Sequence, residues 1–168
     1  MGFKETSDLI AVSFGLDESA VDTFTQETIA LNLDPLNNEI AVVYSIDLDL
    51  VAPDAIANTD TRVTAAVCAT SQTGMVGLET TNCLANARQD IRAGGFVDSG
   101  VGFQRAAEST PDANLPYLGI ISTSNFFVMV QGANNAVRKG VQGRLWFKRA
   151  KADASTYAAL VNSEVLSA

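Results

Sequence analysis

The chain contains no histidine among its 168 residues. That removes Ser-His-Asp and Cys-His nucleophilic catalysis within one subunit, and with them the commonest general base near neutral pH. Cysteine is almost as scarce, with only Cys68 and Cys83 present. Two thiols without a histidine lack the Cys/His set of a structural zinc site, which nearly excludes a metal reading. Cys68 lies in an Ala-Val-Cys-Ala-Thr run and reads as a small buried hydrophobe, whereas Cys83 reads as part of a loop or short helix. Their spacing leaves open whether they pair. Charged residues make up only 18% of the chain, below the usual quarter. No window approaches the roughly 18 apolar residues of a membrane span. Residues 1–8 lack the apolar core of a secretory signal, so the expectation is a chain made and used without export.

What is present is 47% hydrophobic residues, enough for one domain with a sizeable core. Low charge with abundant Ala, Val, Thr, Ser and Asn also suits a surface buried against other copies. The net charge of −8 argues against direct nucleic-acid binding, which clustered Lys and Arg would drive. The acids are concentrated in the first sixty positions, where Lys4 is the only cation. Near the C-terminus, Arg138, Lys139, Arg144, Lys148, Arg149 and Lys151 fall within fourteen residues. This asymmetry implies either head-to-tail steering between copies or pairing within one subunit.

Strand patterns dominate the chain. Residues 125–131 are apolar on both faces, with Phe126, Val128 and Val130 opposed to Phe127 and Met129, as in a central strand covered on both sides. From Val141, the apolar Val141, Leu145 and Phe147 alternate with Gln142, Arg144, Trp146 and Lys148. Between these runs, Gly132 to Gly140 predicts the tip of a hairpin. Further strands are expected over 24–33, 39–51, 61–70 and 117–122, with another short one within 96–107 and a surface loop over 108–116. In the second of these, Ile40, Val42, Tyr44, Ile46, Leu48 and Leu50 read as one uninterrupted face. Thr80 or Thr81 can cap a short helix through Leu84, Ala87, Arg88 and Ile91. A second helix, capped by Asp153 or Ser155, places Tyr157, Leu160, Val161 and Glu164 at helical spacing.

The fold class expected is all-β, an antiparallel β-sandwich of jelly-roll type with about 7–8 strands. Residues 1–22 form an N-terminal arm, 23–151 the sandwich, and 152–168 a short C-terminal helix or tail. The arm carries one apolar segment, Leu9 to Phe14, which must dock on its own sheet or a neighbour's.

Few residues suggest chemistry. Asp47 and Asp49 share a strand face and, with Asp54 and Asp60, offer a calcium site, a pair of catalytic carboxylates or a solvated acidic strand end. Gly94-Gly95 and Gly100-Val-Gly102 match no phosphate-cradling pattern. Arg144, Trp146 and Lys148 on one face can stack a base or a sugar. Alternatively, Trp146 packs beneath a helix or a neighbouring subunit, with the cationic stems over it. No cofactor, metal or small-molecule substrate is expected, and the chain reads as non-enzymatic.

The layout of these segments resembles the small single jelly-roll coat proteins of icosahedral viruses. The likeness is carried by the arm, the short strands from Phe24, the final pair at 125–131 and 140–149, and the tail 152–160. It implies a virion structural protein, made in a host cytoplasm, that self-assembles into a shell with copies of itself and other coat proteins. Contact with an internal membrane is compatible with it. The contact residues it suggests are Leu9, Ile10, Val12 and Phe14 in the arm, Arg138 and Lys139 at the tip, Arg144, Trp146 and Lys148 on the last strand, and Tyr157 and Leu160 on the helix. The acidic arm departs from the basic arms of coat proteins that bind genome. A jelly-roll module binding a glycan or another ligand at Trp146 and the Asp47/Asp49 end is the alternative.

Overall fold

Short alternating strands bury their apolar faces most simply by stacking two sheets. The computed structural model, which describes residues 2–95, 97, 100–105 and 115–168, has this form. Its elements are β1 (Phe3–Glu5), β2 (Ile10–Asp17), β3 (Thr25–Ala30), β4 (Glu39–Leu50), β5 (Thr61–Cys68), β6 (Cys83–Arg92), β7 (Val101–Arg105), β8 (Gly119–Ile121), β9 (Asn125–Ala133), β10 (Gly140–Ala152) and α1 (Ala154–Leu166). One sheet runs β2-β10-β4-β8, with β1 also paired to β10, and the other runs β3-β9-β5-β6-β7. Every pairing is antiparallel.

The pairs nest. β2 lies on β10, β3 on β9, β4 on β8 and β5 on β6. This is the order produced when one long hairpin is rolled into a sandwich, the eight-stranded jelly roll. β1 and β7 are additions to it. The two runs at 125–131 and 141–149 therefore do not form a hairpin: β9 sits in one sheet and β10 in the other, and residues 134–139 cross between them. Turn-forming residues serve a sheet crossover as well as a hairpin, so the local signal was the same.

Between the sheets, Phe14, Ile46, Val67, Phe126, Leu145 and Phe147 lie in the main core. Phe14 meets Phe126 edge to face, with ring centroids 5.8 Å apart. Gly143 makes room for that ring: a Cβ there would sit 2.5 Å from a Phe14 ring carbon and 2.6 Å from the Asp47 carbonyl oxygen. β9 is interior as expected, with Phe126, Val128 and Val130 in the main core and Met129 buried on the opposite face.

β4 departs from its apparent pattern. Trp146 lies opposite Ser45 and Phe147 opposite Val43, so Tyr44 is an extra residue, a β-bulge. An extra residue reverses the alternation. Ile46, Leu48 and Leu50 face the main core, while Ile40 and Val42 face outward and join Ala150 and Ala152 in a second cluster. Tyr157 and Leu160 of α1, together with Phe3 and Tyr117, cover that cluster. The bulge thus creates the seat for the C-terminal helix.

α1 begins where expected, with the Asp153 carboxylate accepting the Thr156 N–H at 2.8 Å. Near its other end, the buried Glu164 accepts Ser122 N–H at 2.8 Å, Ser122 Oγ–H at 2.6 Å and the Thr123 hydroxyl. The helix expected over 84–91 is strand β6. Ala85 and Ala87 face the core there, and Leu84, Ala87, Arg88 and Ile91 fit a period of 3.6 only because the two alanines scarcely mark a period of two. β7 occupies part of 96–107; residues 96, 98–99 and 106–114 lie outside the described residues.

Candidate functional site

The connections β2–β3, β4–β5 and β9–β10 meet at one end of the sandwich, joined there by residues 93–95. They carry many polar backbone groups that no strand satisfies, and acidic side chains supply the partners. Glu18, only 1% exposed, accepts the Gly132 N–H at 2.9 Å and the Lys139 N–H at 2.8 Å. Asp54 accepts the Lys139 ammonium at 2.7 Å and the Ala136 N–H at 2.8 Å. Asn135 is threaded among them: its side-chain oxygen accepts Asp54 N–H at 2.9 Å and its amide donates to the Arg62 carbonyl at 2.9 Å. Asp60 accepts the Ala93 and Gly94 N–H groups.

These contacts shift the acids in one direction. The Lys139 ammonium, followed by the Ala136 N–H, holds the Asp54 carboxyl below the ordinary carboxylate range. The Gly94 N–H has the same effect on Asp60. The loops are therefore stapled while carrying apolar side chains outward: Val21, Val51 and Val137 are each 42–56% exposed. Asp22 and Asn134 hold left-handed backbone, at φ 55° and 59°, where short polar residues are tolerated.

A second feature lies on the outer face of the β2-β10-β4 sheet. Ser13, Gly15, Asp47, Asp49, Arg144 and Trp146 line an open hollow. Arg144 stands opposite Asp47 in the register, with its guanidinium 5.7 Å from the Trp146 ring centre. Beside it, Lys148 pairs with Glu5 at 2.9 Å and lies 5.3 Å from the Tyr44 ring centre, while the Tyr44 hydroxyl donates to Glu5.

The residues singled out from sequence are dispersed over these surfaces. Within residues 1–22, Ile10–Asp17 and Phe3–Glu5 pair with β10 of the same chain. Phe14 is in the core, Ile10 and Val12 pack against it, and Leu9 is exposed. Arg138 is exposed, whereas Lys139 is buried against Asp54. Arg144 is exposed, and Trp146 and Lys148 are half-buried. Tyr157 and Leu160 are half-buried on the second cluster. Of the C-terminal cations, Lys139, Lys148 and Arg149 are paired within the chain, with Asp54, Glu5 and Glu39. Asp47 and Asp49 lie on the sheet face while Asp54 and Asp60 staple the end loops. Among the described residues no group of three or more potential ligands converges on a metal-sized space. Sequence gave no sign of Glu18, whose partners lie over 110 positions away.

The strand order defines a jelly-roll β-sandwich. No protein-family profile matches the chain, and no curated protein does. Among solved structures it is similar to viral capsid proteins of that fold. A Desmodium yellow mottle tymovirus structure is 15% identical, covering 84% of this chain and 87% of that one, with a TM-score of 0.34. VP1 of Trichodysplasia spinulosa-associated polyomavirus is 8% identical, covering 89% and 98%, with a TM-score of 0.42. A tomato aspermy virus structure is 12% identical, covering 86% and 80%, at 0.35. The fold assignment rests on the chain's own nested pairings.

Proposed function

We propose that this chain is a structural subunit that self-associates into a shell, a coat protein residing in the virion and working without catalysis. The observation that carries this reading is the stapled end of the sandwich. Exposed valines on loops locked by the carboxylates of Glu18, Asp54 and Asp60 form a contact surface that loses little freedom on binding. Copies of the same chain, and other coat proteins of the same shell, are the partners.

The test is the mass of the purified chain at micromolar concentration by light scattering, with negative-stain imaging of the same sample. Closed particles or regular rings are expected. A triple variant, Val21→Asp, Val51→Asp and Val137→Asp, should remain folded and monomeric. A wild-type chain that stays monomeric, alone and with co-expressed shell proteins, overturns the reading.

The hollow at Trp146 favours a second function, a non-catalytic module for a glycan. An aromatic ring beside Arg144, Asp47 and Ser13 has the mixed apolar and hydrogen-bonding character that sugars require. Loss of glycan-array binding in Trp146→Ala, with an unchanged melting temperature, distinguishes it from the shell reading.

A further inference from the structure

Cys68 on β5 and Cys83 on β6 are directly opposite in the antiparallel register, beside the irregularity that follows Val67. Both carry thiols, Cys68 fully buried and Cys83 half-buried. They share one small cluster on the outer face of their sheet, with Ala66 and Met129, beneath Met75 and Val76 of the connecting loop. Opposed residues of an antiparallel pair have Cα atoms about 4.5–5.5 Å apart, within the roughly 4.4–6.8 Å that a disulfide spans. Both side chains point to the same side, so the backbone need not move far to join them.

We infer that Cys68 and Cys83 form an oxidation site, a dithiol that closes to a cross-strand disulfide when the chain meets a small-molecule disulfide such as oxidised glutathione. Cys83, the more accessible, attacks one glutathione sulfur and releases the first glutathione thiolate. Cys68 then attacks the Cys83 sulfur of the mixed disulfide and releases the second. The two thiol protons leave with the two departing thiolates, so one protein disulfide and two reduced glutathiones result. The order follows from the surroundings: the neighbouring Cys83 thiol, and then burial, push the Cys68 thiol well above its usual range. Cys68 is the poor first nucleophile and, by position, the resolving one. The bond would close the 69–82 loop and clamp β5 to β6, restricting the unfolded chain. This inference does not depend on self-association.

The test uses the full chain, treated with excess oxidised glutathione under native conditions and analysed without reductant. The expected result is an intact mass lower by about 2 Da, with the fragments on either side of Glu79 held together after cleavage there. Melting temperature should rise by roughly 5–10 °C and return on reduction. Cys83→Ser and Cys68→Ala should each fold and lose the oxidant-dependent rise. Two thiols persisting at equilibrium, a glutathione adduct that never resolves, chains linked to one another, or a rise retained in either variant would each overturn it.

Discussion

The Glu18 carboxylate accepts the backbone N–H of Lys139 at 2.8 Å, while the Lys139 ammonium turns to Asp54 at 2.7 Å. The acid thus holds the crossover between β9 and β10 through its backbone, and the base beside it is satisfied elsewhere. Replacing Glu18 by Ala leaves the Gly132 and Lys139 N–H groups buried without an acceptor. The expected cost is about 2–5 kcal/mol, read from urea unfolding. Glu18→Gln should cost about half as much, because an amide offers one oxygen where two N–H groups need acceptors.

Acid should weaken the same end. Asp54 titrates below its ordinary value when folded, so its contribution is complete above about pH 4 and is lost as pH falls through the folded pKa. Asp60 and Asp153 act in the same direction, through N–H groups of Gly94 and Thr156. Asp54→Asn should lower stability at pH 7, where Lys139 loses its partner, and flatten the fall below pH 4. Unfolding curves of the two proteins between pH 2 and pH 7 provide the check. Parallel pH profiles would remove Asp54 from the account.

Deleting Tyr44 should remove the bulge without turning any β4 side chain over. Without the extra residue, Val43 and Ser45 are neighbours and β4 pairs with β10 in one continuous register, so Ile40 and Val42 stay outward while Ile46, Leu48 and Leu50 stay in the main core. The deletion is expected to keep the near-ultraviolet circular dichroism of Trp146, and loss of that signal would show that the bulge itself is required. Tyr44→Phe should fold, at a cost of no more than about 1 kcal/mol for the exposed hydrogen bond to Glu5.

Helix docking can be separated from sandwich stability. Glu164→Ala removes the acceptor for Ser122 and Thr123 beneath α1. Amide exchange over 154–166 should rise at least tenfold while β9 stays protected, because the main core does not include the helix. Uniform loss of protection would show that the helix and sandwich unfold together.

The β-sandwich was legible because β9 is apolar on both faces and β10 alternates from Val141 to Lys148. What failed did so for local reasons. A bulge is one residue inserted into an intact pattern, and the run from Ile40 to Leu50 stays apolar every second position whether or not Tyr44 is skipped. Ala85 and Ala87 are too small to reveal which period β6 obeys. The charge asymmetry left steering between copies and pairing within the chain both open, because Glu5, Glu39 and Asp54, the partners of Lys148, Arg149 and Lys139, lie far away in sequence. Sequence separation hid Glu18 in the same way, leaving only an acid between Asp17 and Ser19 to find.

The nested pairing also dictates when the protein can fold. Phe3 lies opposite Ala152 and Ile10 opposite Phe147, so the first strands have no partner until β10 has been made. At about 5–20 residues per second, they wait on the order of ten seconds, with Leu9, Val12 and Phe14 uncovered. Contacts this distant in sequence also slow the final closure. A ribosome-bound chain ending before residue 140 is therefore a half-sandwich with an open edge beside β4, and crowded synthesis would favour the pairing of that edge with another nascent copy.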